Sequence, residues 1–420
     1  MDPQAPIVIV GAGQAGMQIA ESLRQEGHVG ALILCGEEPH PPYQRPPLSK
    51  KWLIDGGSIN ALAVRGPAVL ERLKITLKTH CRITAIDRNR REVALADGSR
   101  LAYDRLALAT GSLPRTLPIP GASLSGVLAL RGIADSLAIG AAIRSCAAEG
   151  GRIVVIGGGF IGLEVAAAAN KLGAQVTVLE GLARLMSRVT APVVSESFAR
   201  LHSAHGVQLV FGAQVAEIVA YEGHVAAVRT TGGQEYPAAC VVVGIGVDPD
   251  DLLARSAGLA CERGIVVDDC SRTSDPLIAA AGDCTARRLP SGELVRLESV
   301  QNAIEQGKSA AAALMGRTRP FVAAPWFWSD QFDVKLQMVG LSRGYDQVVT
   351  RGDLDKPAYS AFYFRSGRLL AVDSLNRISD HMQAKKLLDQ GLSLTPEQAA
   401  DPQFELTSLL KPRDATAGGA

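Results

Sequence analysis

Two glycine runs have the residue types and spacing to do chemistry. Gly11, Gly13 and Gly16 in IVIVGAGQAG, and Gly157, Gly159 and Gly162 in IVVIGGGFIG, both stand at G-x-G-x-x-G. At this spacing the first glycine makes a tight turn and the second lets backbone approach a pyrophosphate. The third lets the following helix pack closely on the preceding strand. That helix offers free N–H groups and the positive end of its dipole, which suits a diphosphate. Each run follows a short apolar strand, Ile7 to Val10 or Ile153 to Ile156. Each is followed by a second strand ending in an acid, Glu37 or Glu180, roughly 20 residues on, where the pattern needs a carboxylate for a ribose hydroxyl. One such run is a weak signal; two in the same context are a strong one.

The elements that must hold these turns repeat with them. In the first unit a strand is expected over residues 31–34, and residues 75–111 read as strand, strand, an Asp97-Gly98 hairpin and a strand ending in Ala109-Thr110-Gly111. Residues 39–53 are dense in proline and read as a rigid loop. Pro114, Pro118, Pro120 and Gly121 read as a linker. The second unit has a helix over 160–172, a strand over 175–179, hairpin strands over 207–218 and 225–230, and CVVVGIG ending at Gly246. Two similar units of about 110 to 120 residues therefore lie in one chain. Short strands over 264–267 and 278–281 and a helix over 300–315 return to the first unit, so the second is expected to be inserted in it. Residues 326–340 alternate like a strand, with further strands over 358–364 and 369–374 and a helix near 380–390. The expected fold is α/β: two Rossmann-like dinucleotide-binding domains plus a smaller C-terminal α+β domain. The divisions fall at 1–113, 114–246, 247–325 and 326–420, and the tail from residue 411 is expected to be disordered.

Composition narrows the class. The chain has 420 residues, enough for two or three domains, with 47% hydrophobic and 20% charged residues, as in an ordinary globular protein. A net charge of +1 gives no support to a bulk nucleic-acid or membrane role. No apolar run reaches the ~18 residues of a membrane span, and the N-terminus lacks the charge of a signal peptide, so a cytoplasmic place is expected. Seven cysteines with no C-x-x-C read as buried free thiols. His202 and His205 read as a solvated helix end.

Narrower strings carry a resemblance. Arg45-Pro46-Pro47-Leu48-Ser49-Lys50, GGGFIGLE, AAGDC, RLESVQNA and PWFWSDQ accompany the glycine runs. Over nearly its whole length the chain resembles the pyridine-nucleotide–disulfide oxidoreductases. Within them it is similar to the NADH-dependent ferredoxin reductases of bacterial oxygenase systems, the putidaredoxin reductase and biphenyl-dioxygenase reductase type. The resemblance implies an enzyme that binds FAD and NADH and passes electrons to a 2Fe–2S ferredoxin serving an oxygenase. It implies a monomer or weak dimer.

Carried onto this sequence, the resemblance puts Gly11, Gly13, Gln14, Ala15 and Gly16 at the FAD pyrophosphate and Glu37 on its ribose. Arg45, Lys50, Ile83, Ala109, Thr110, Gly111 and Arg131 would line the flavin site, with Pro47 against the ring. Asp283, beside Gly282, would meet the ribityl chain. Glu298, Ser299 and Val300, at a helix start, would face the pyrimidine end. NADH would lie on Gly157, Gly159, Phe160, Ile161, Gly162, Glu180 and Gly246. Lys50 and Glu164 would pair near the nicotinamide, and Trp328 would stand close to the flavin. Asp248 departs from the pattern, an acid where an apolar residue is expected. Arg65, Arg317, Arg319, Lys335, Lys385 and Lys386 are expected to offer a docking patch for an acidic ferredoxin.

Two other readings use the same core. A thiol-assisted NADH oxidase or disulfide reductase would need a redox cysteine in the loop after Glu37, and residues 38–53 contain none. An NADH-responsive flavoprotein like apoptosis-inducing factor shares the two dinucleotide folds, but the RPPLSK and FWSDQ strings favour a reductase.

Overall fold

The computed structural model describes residues 2–289 and 292–410; the expected disordered tail lies outside these residues. Apolar strands with no polar face demand cover on both sides, and here they form two parallel sheets of the same design. In the first, strand Ile7–Val10 lies between Leu32–Cys35 and Arg105–Leu108, with Thr76–Lys78 beyond the former and Ile278–Ala280 beyond the latter. In the second, Arg152–Ile156 lies between Gln175–Glu180 and Cys240–Val243, with Gln208–Phe211 and Val127–Ala129 outermost. Each sheet is accompanied by a three-stranded antiparallel meander, Ile83–Asp87 to Arg100–Ala102 in one and Val215–Tyr221 to Glu235–Pro237 in the other. The stretch read as one hairpin over 207–230 thus divides between sheet and meander.

The chain leaves the first sheet and returns to it through adjacent strands. Ser112–Pro114 and Val247–Pro249 pair antiparallel, and Arg115 reaches Asp248 at 2.9 Å beside that ladder. Asp248 is exposed there, which explains why no apolar residue is needed. Helix Ile133–Ala148 went unread in the sequence. Alanines and aliphatics surround it, so no one-sided stripe marks it, yet Ile139, Ile143 and Cys146 pack against Ile153 and Val155.

The C-terminal sheet has five antiparallel strands, in the order Trp326–Gln331, Val334–Gly340, Arg368–Leu375, Ala358–Arg365 and Gln347–Asp353. The run expected as one strand from Trp326 is a hairpin turning at Phe332, whose positive φ the alternation conceals. The run Tyr359 to Phe364 is buried throughout because both faces are covered. Phe362 and Phe364 pack with helix Ile378–Asp389, while Tyr359 and Tyr363 face the inserted unit. There Tyr359 donates to the Val193 carbonyl, and the Tyr363 hydroxyl accepts the Ala191 N–H at 2.9 Å.

The three glycines of each run divide by purpose. Gly11 has φ +108°, and a Cβ on it would lie 2.1 Å from the Ala109 carbonyl oxygen. A Cβ on Gly16 would lie 1.9 Å from the Gly11 oxygen, so the helix could not approach. A Cβ on Gly13 would meet no atom within 4 Å. Gly157, Gly162 and Gly159 repeat this in the second unit, with 2.4 Å, 2.2 Å and open space respectively. Gly11→Ala is expected to destabilise the chain by more than about 3 kcal/mol. Gly13→Ala should cost less than about 1 kcal/mol in the same denaturant titration.

Asp373 is buried, accepts a hydrogen bond from the Tyr363 hydroxyl and has no partner for Oδ1 among the described residues. Burial pushes its carboxyl up to about 7, partly opposed by that hydrogen bond. The folded state therefore keeps a proton that the unfolded chain releases near pH 4. This group's contribution favours the fold at low pH and is lost as pH rises from about 4 to 7. Asp373→Asn should flatten that part of the melting-temperature profile; an unchanged slope would contradict the assignment.

Candidate functional site

A cavity of about 840 Å³ opens where the two parallel sheets and the C-terminal sheet meet. Its floor is the first fingerprint turn, Gly11, Gly13, Gln14 and Ala15, at the N-terminus of helix Gln14–Gln25. A second helix, Val300–Leu314, also points its N-terminus inward, and its cap Ser299 accepts the Asn302 N–H at 3.1 Å. Two positive helix ends and the open side of Gly13 form a cradle suited to a diphosphate.

The walls gather nearly all the remaining first-unit residues expected at the site. Glu37, Arg45, Lys50, Ile83, Ala109, Thr110, Gly111, Arg131, Gly282, Asp283, Glu298, Ser299 and Val300 line the cavity. Gly16 lies behind the turn, where it sets helix–strand contact. Pro47 is absent from the lining, whereas Pro46, Leu48 and Ser49 of the 3₁₀ turn Pro46–Ser49 line the cavity with Lys50. The expected rigid loop is thus a 3₁₀ turn running into helix Lys51–Asp55.

Several supports were not legible in sequence. Arg45 donates to Glu38 and to the Arg131 carbonyl at 2.7 Å, and Tyr43 donates to the same Glu38, so Arg45 is held in place rather than mobile. The buried Gln306 accepts from the Gly282 N–H at 2.8 Å and the Thr285 hydroxyl at 2.9 Å, fixing the turn that presents Asp283. Asp283 accepts from Ser112 at 3.2 Å; burial pushes its carboxyl up while Arg131 draws it down. Glu37 stays exposed at the rim, 3.3 Å from Arg82.

The inserted unit closes the cavity with Phe160, Ile161 and Glu164, and the C-terminal sheet with Phe327 and Trp328. At this seam Lys50 Nζ lies 2.8 Å from Glu164 Oε2, with both side chains largely buried. Ser49 donates to the same oxygen at 2.5 Å and Ser329 to Oε1 at 2.6 Å. Both serines stand inside strings that marked the resemblance, but neither had a role there.

The glycines of the second fingerprint lie outside this cavity. Glu180 accepts from the Gly158 N–H at 2.7 Å and the Leu182 N–H at 2.8 Å, which holds its carboxylate beside the Gly157–Gly159 turn. Arg184, the nearby cation, donates to Thr190 and Ser187 carbonyls and to Ser195. Gly246 turns with φ +104° at the exit from the second sheet.

Three further expectations meet the structure differently. His202 is buried rather than solvated, bonded to Gln331 at 2.9 Å, because the C-terminal hairpin covers its helix; His205 stacks on Phe332. Of the basic residues expected at a docking patch, Arg65, Arg317, Lys335 and Lys385 pair with Glu21, Glu26, Asp330 and Asp389, which reduces their free charge. Cys261 is partly exposed, while the other six cysteines are buried.

No helix among the described residues is long and apolar enough to cross a membrane. Residues 5–307 match the family model for pyridine nucleotide-disulphide oxidoreductase, and residues 326–410 match that for the reductase C-terminal domain. Rhodocoxin reductase of Rhodococcus erythropolis is 46% identical over 401 residues, 95% of this chain and 93% of that protein. The ferredoxin reductase for the CYP199A2 system from Rhodopseudomonas palustris shares the fold at a TM-score of 0.93 and 43% identity, covering 96% of this chain and 99% of that one. The reductase in a covalent putidaredoxin reductase–putidaredoxin complex matches at 0.92 and 41%, covering 96% and 98%. With two repeated dinucleotide folds, a cavity at their junction and these matches along nearly its whole length, the chain belongs to the pyridine nucleotide-disulphide oxidoreductase family.

Proposed function

We propose that the chain is an NADH-dependent ferredoxin reductase: it holds FAD in the cavity, accepts NADH on the inserted unit and delivers electrons to a 2Fe–2S ferredoxin that serves a cytochrome-type or Rieske-type oxygenase. The observation that carries this reading is the buried Lys50–Glu164 pair, placed where the cavity of one dinucleotide unit meets the helix start of the other. Its neighbours' names support the partner: the relatives are reductases of rhodocoxin and putidaredoxin, and one was solved with its redoxin attached. We divide the chain at 1–113, 114–246, 247–325 and 326–420, a reading supported by strand Ile278–Ala280 returning to the first sheet.

Bound FAD would supply the chemistry, taking a hydride and returning its electrons singly. The chain's residues do the rest. The Gly13 turn and the two helix ends receive the diphosphate, and Asp283 and Glu298 face the cavity as hydrogen-bonding groups. Lys50 would hold a positive charge in the cavity that receives FAD, and Glu164 keeps that charge oriented, both side chains being largely buried. Trp328 walls the cavity on the C-terminal side.

NADH is preferred over NADPH on two grounds. Glu180 is held at the turn as an acceptor for ribose hydroxyls and would repel a 2′-phosphate. Arg184, the cation that could offset it, is committed to its own loop. A thiol-assisted reaction has no support. Burial, with Cys81 close by, pushes the Cys35 thiol up to about 12, so no thiolate forms beside Glu37.

Stopped-flow mixing tests the reading. NADH should bleach the flavin at least about tenfold faster than NADPH at equal concentration, and a 2Fe–2S ferredoxin should reoxidise it promptly. Bleaching without reoxidation by any such ferredoxin would sink the assignment of partner. Glu180→Ala should raise KM for NADH by about tenfold or more and narrow the preference. Gly13→Ala should fold yet retain less than about a tenth of the parent's FAD after gel filtration, since its methyl enters the diphosphate cradle.

A further inference from the structure

The polar structure around Glu164 does not end at its two oxygens. Ser329 donates to Glu164 at 2.6 Å, Gln331 Nε2 donates to Ser329 at 3.1 Å, and Gln331 Oε1 lies 2.9 Å from His202 Nε2. Glu164, Ser329, Gln331 and His202 are all buried. The chain of bonds starts on a helix of the inserted unit, runs along the edge strand Trp326–Gln331 of the C-terminal sheet and ends on helix Pro192–Ala204.

Its polarity is dictated from one end. A carboxylate only accepts, so Ser329 must donate to it, and the Ser329 oxygen is then left to accept. The Gln331 amide nitrogen must therefore face Ser329, which turns its oxygen toward His202 and requires the proton on Nε2. His202 Nδ1, correspondingly, has no hydrogen-bond partner among the described residues. Burial lowers the His202 pKa to about 4, so the ring remains neutral and the direction of the bonds persists at neutral pH.

Strand pleat places the donors. Ser329 and Gln331 are two apart on Trp326–Gln331 and share a face with Phe327, whose ring lies 4.8 Å from that of Phe160 on the Glu164 helix. Trp328, between them, belongs to the opposite face. One strand therefore carries Trp328 on one face and the hydrogen-bond donors, together with Phe327, on the other. The amide in the middle of the series is a poor proton carrier, so the arrangement orients a charge rather than moving a proton.

We propose that Ser329 and Gln331 are positioning residues for flavin reduction: with His202 they form a one-way donor chain that holds the Glu164 carboxylate, and through it Lys50, at the junction of the two dinucleotide sites. This rests on the role given to Lys50 and Glu164 above. Without the Ser329 hydroxyl, Glu164 Oε1 is a buried charged acceptor with no donor, and the carboxylate can rotate away from Lys50.

The test uses flavin-loaded protein, NADH in stopped flow, and the flavin midpoint potential. Ser329→Ala should slow the limiting rate of bleaching by about tenfold, with KM for NADH changed less than about threefold. Ser329→Thr, which keeps the hydroxyl, should return the rate to within about threefold of the parent and restore the potential that Ser329→Ala displaces. Gln331→Met leaves the hydroxyl but removes its donor, and should slow bleaching by a smaller factor; it also serves if Ser329→Ala fails to hold flavin. Parent rates and potentials in a flavin-replete Ser329→Ala, or a Ser329→Thr as slow as the alanine variant, would overturn the proposal while Glu164→Gln still slows bleaching and keeps the functional reading intact. Unmodified protein that NADH does not bleach would remove both.

Discussion

A buried ion pair is costly unless the remaining hydrogen-bonding capacity of each charge is met, and the Lys50–Glu164 pair imposes that demand on three parts of the molecule. Lys50 and Ser49 come from the turn after the first acid, Glu164 from the helix behind the second fingerprint, and Ser329 from the C-terminal sheet. None can satisfy the others unless all three are docked. The interaction thus registers the units against one another at the place where hydride transfer between two bound dinucleotides would need them aligned, and it ties the function of the site to the packing of the whole chain.

The repeat explains how such a junction arises from simple parts. Each unit builds the same turn, with one glycine too crowded for a side chain, one helix contact too close for a side chain, and one glycine left open. The two solutions then diverge in what surrounds them. The first opens into a large cavity where the two parallel sheets and the C-terminal sheet meet; the second holds its acid tightly at its own turn.

Local features were the legible ones. The glycine runs, their flanking strands and the return of the chain to its first sheet follow from spacing and apolar pattern, and almost every residue expected in the first site lines one cavity. What escaped was set by tertiary context. Helix Ile133–Ala148 has no polar face to reveal its period, the Phe332 turn interrupts no alternation, and His202 looks like a helix-end residue until the hairpin that covers it is in place. That Pro46 lines the cavity and Pro47 does not depends on the coiling of a 3₁₀ turn, which composition does not reveal. Ser49, Ser329 and Gln331 are small or neutral side chains whose importance lies wholly in what they face.

The paired strands Ser112–Pro114 and Val247–Pro249 have a bearing on how this architecture can be changed. Because the outgoing and returning chain run side by side, the two ends of the inserted unit lie within one strand spacing, about 5 Å, of each other. A segment with neighbouring ends can be removed, replaced by a homologous one of different nucleotide preference, or joined to itself as an independent chain with little added loop. The same ladder makes the connection a double strap rather than two separate tethers. The inserted unit is held on its other side by the buried core it shares with Tyr359 and Tyr363 of the C-terminal sheet.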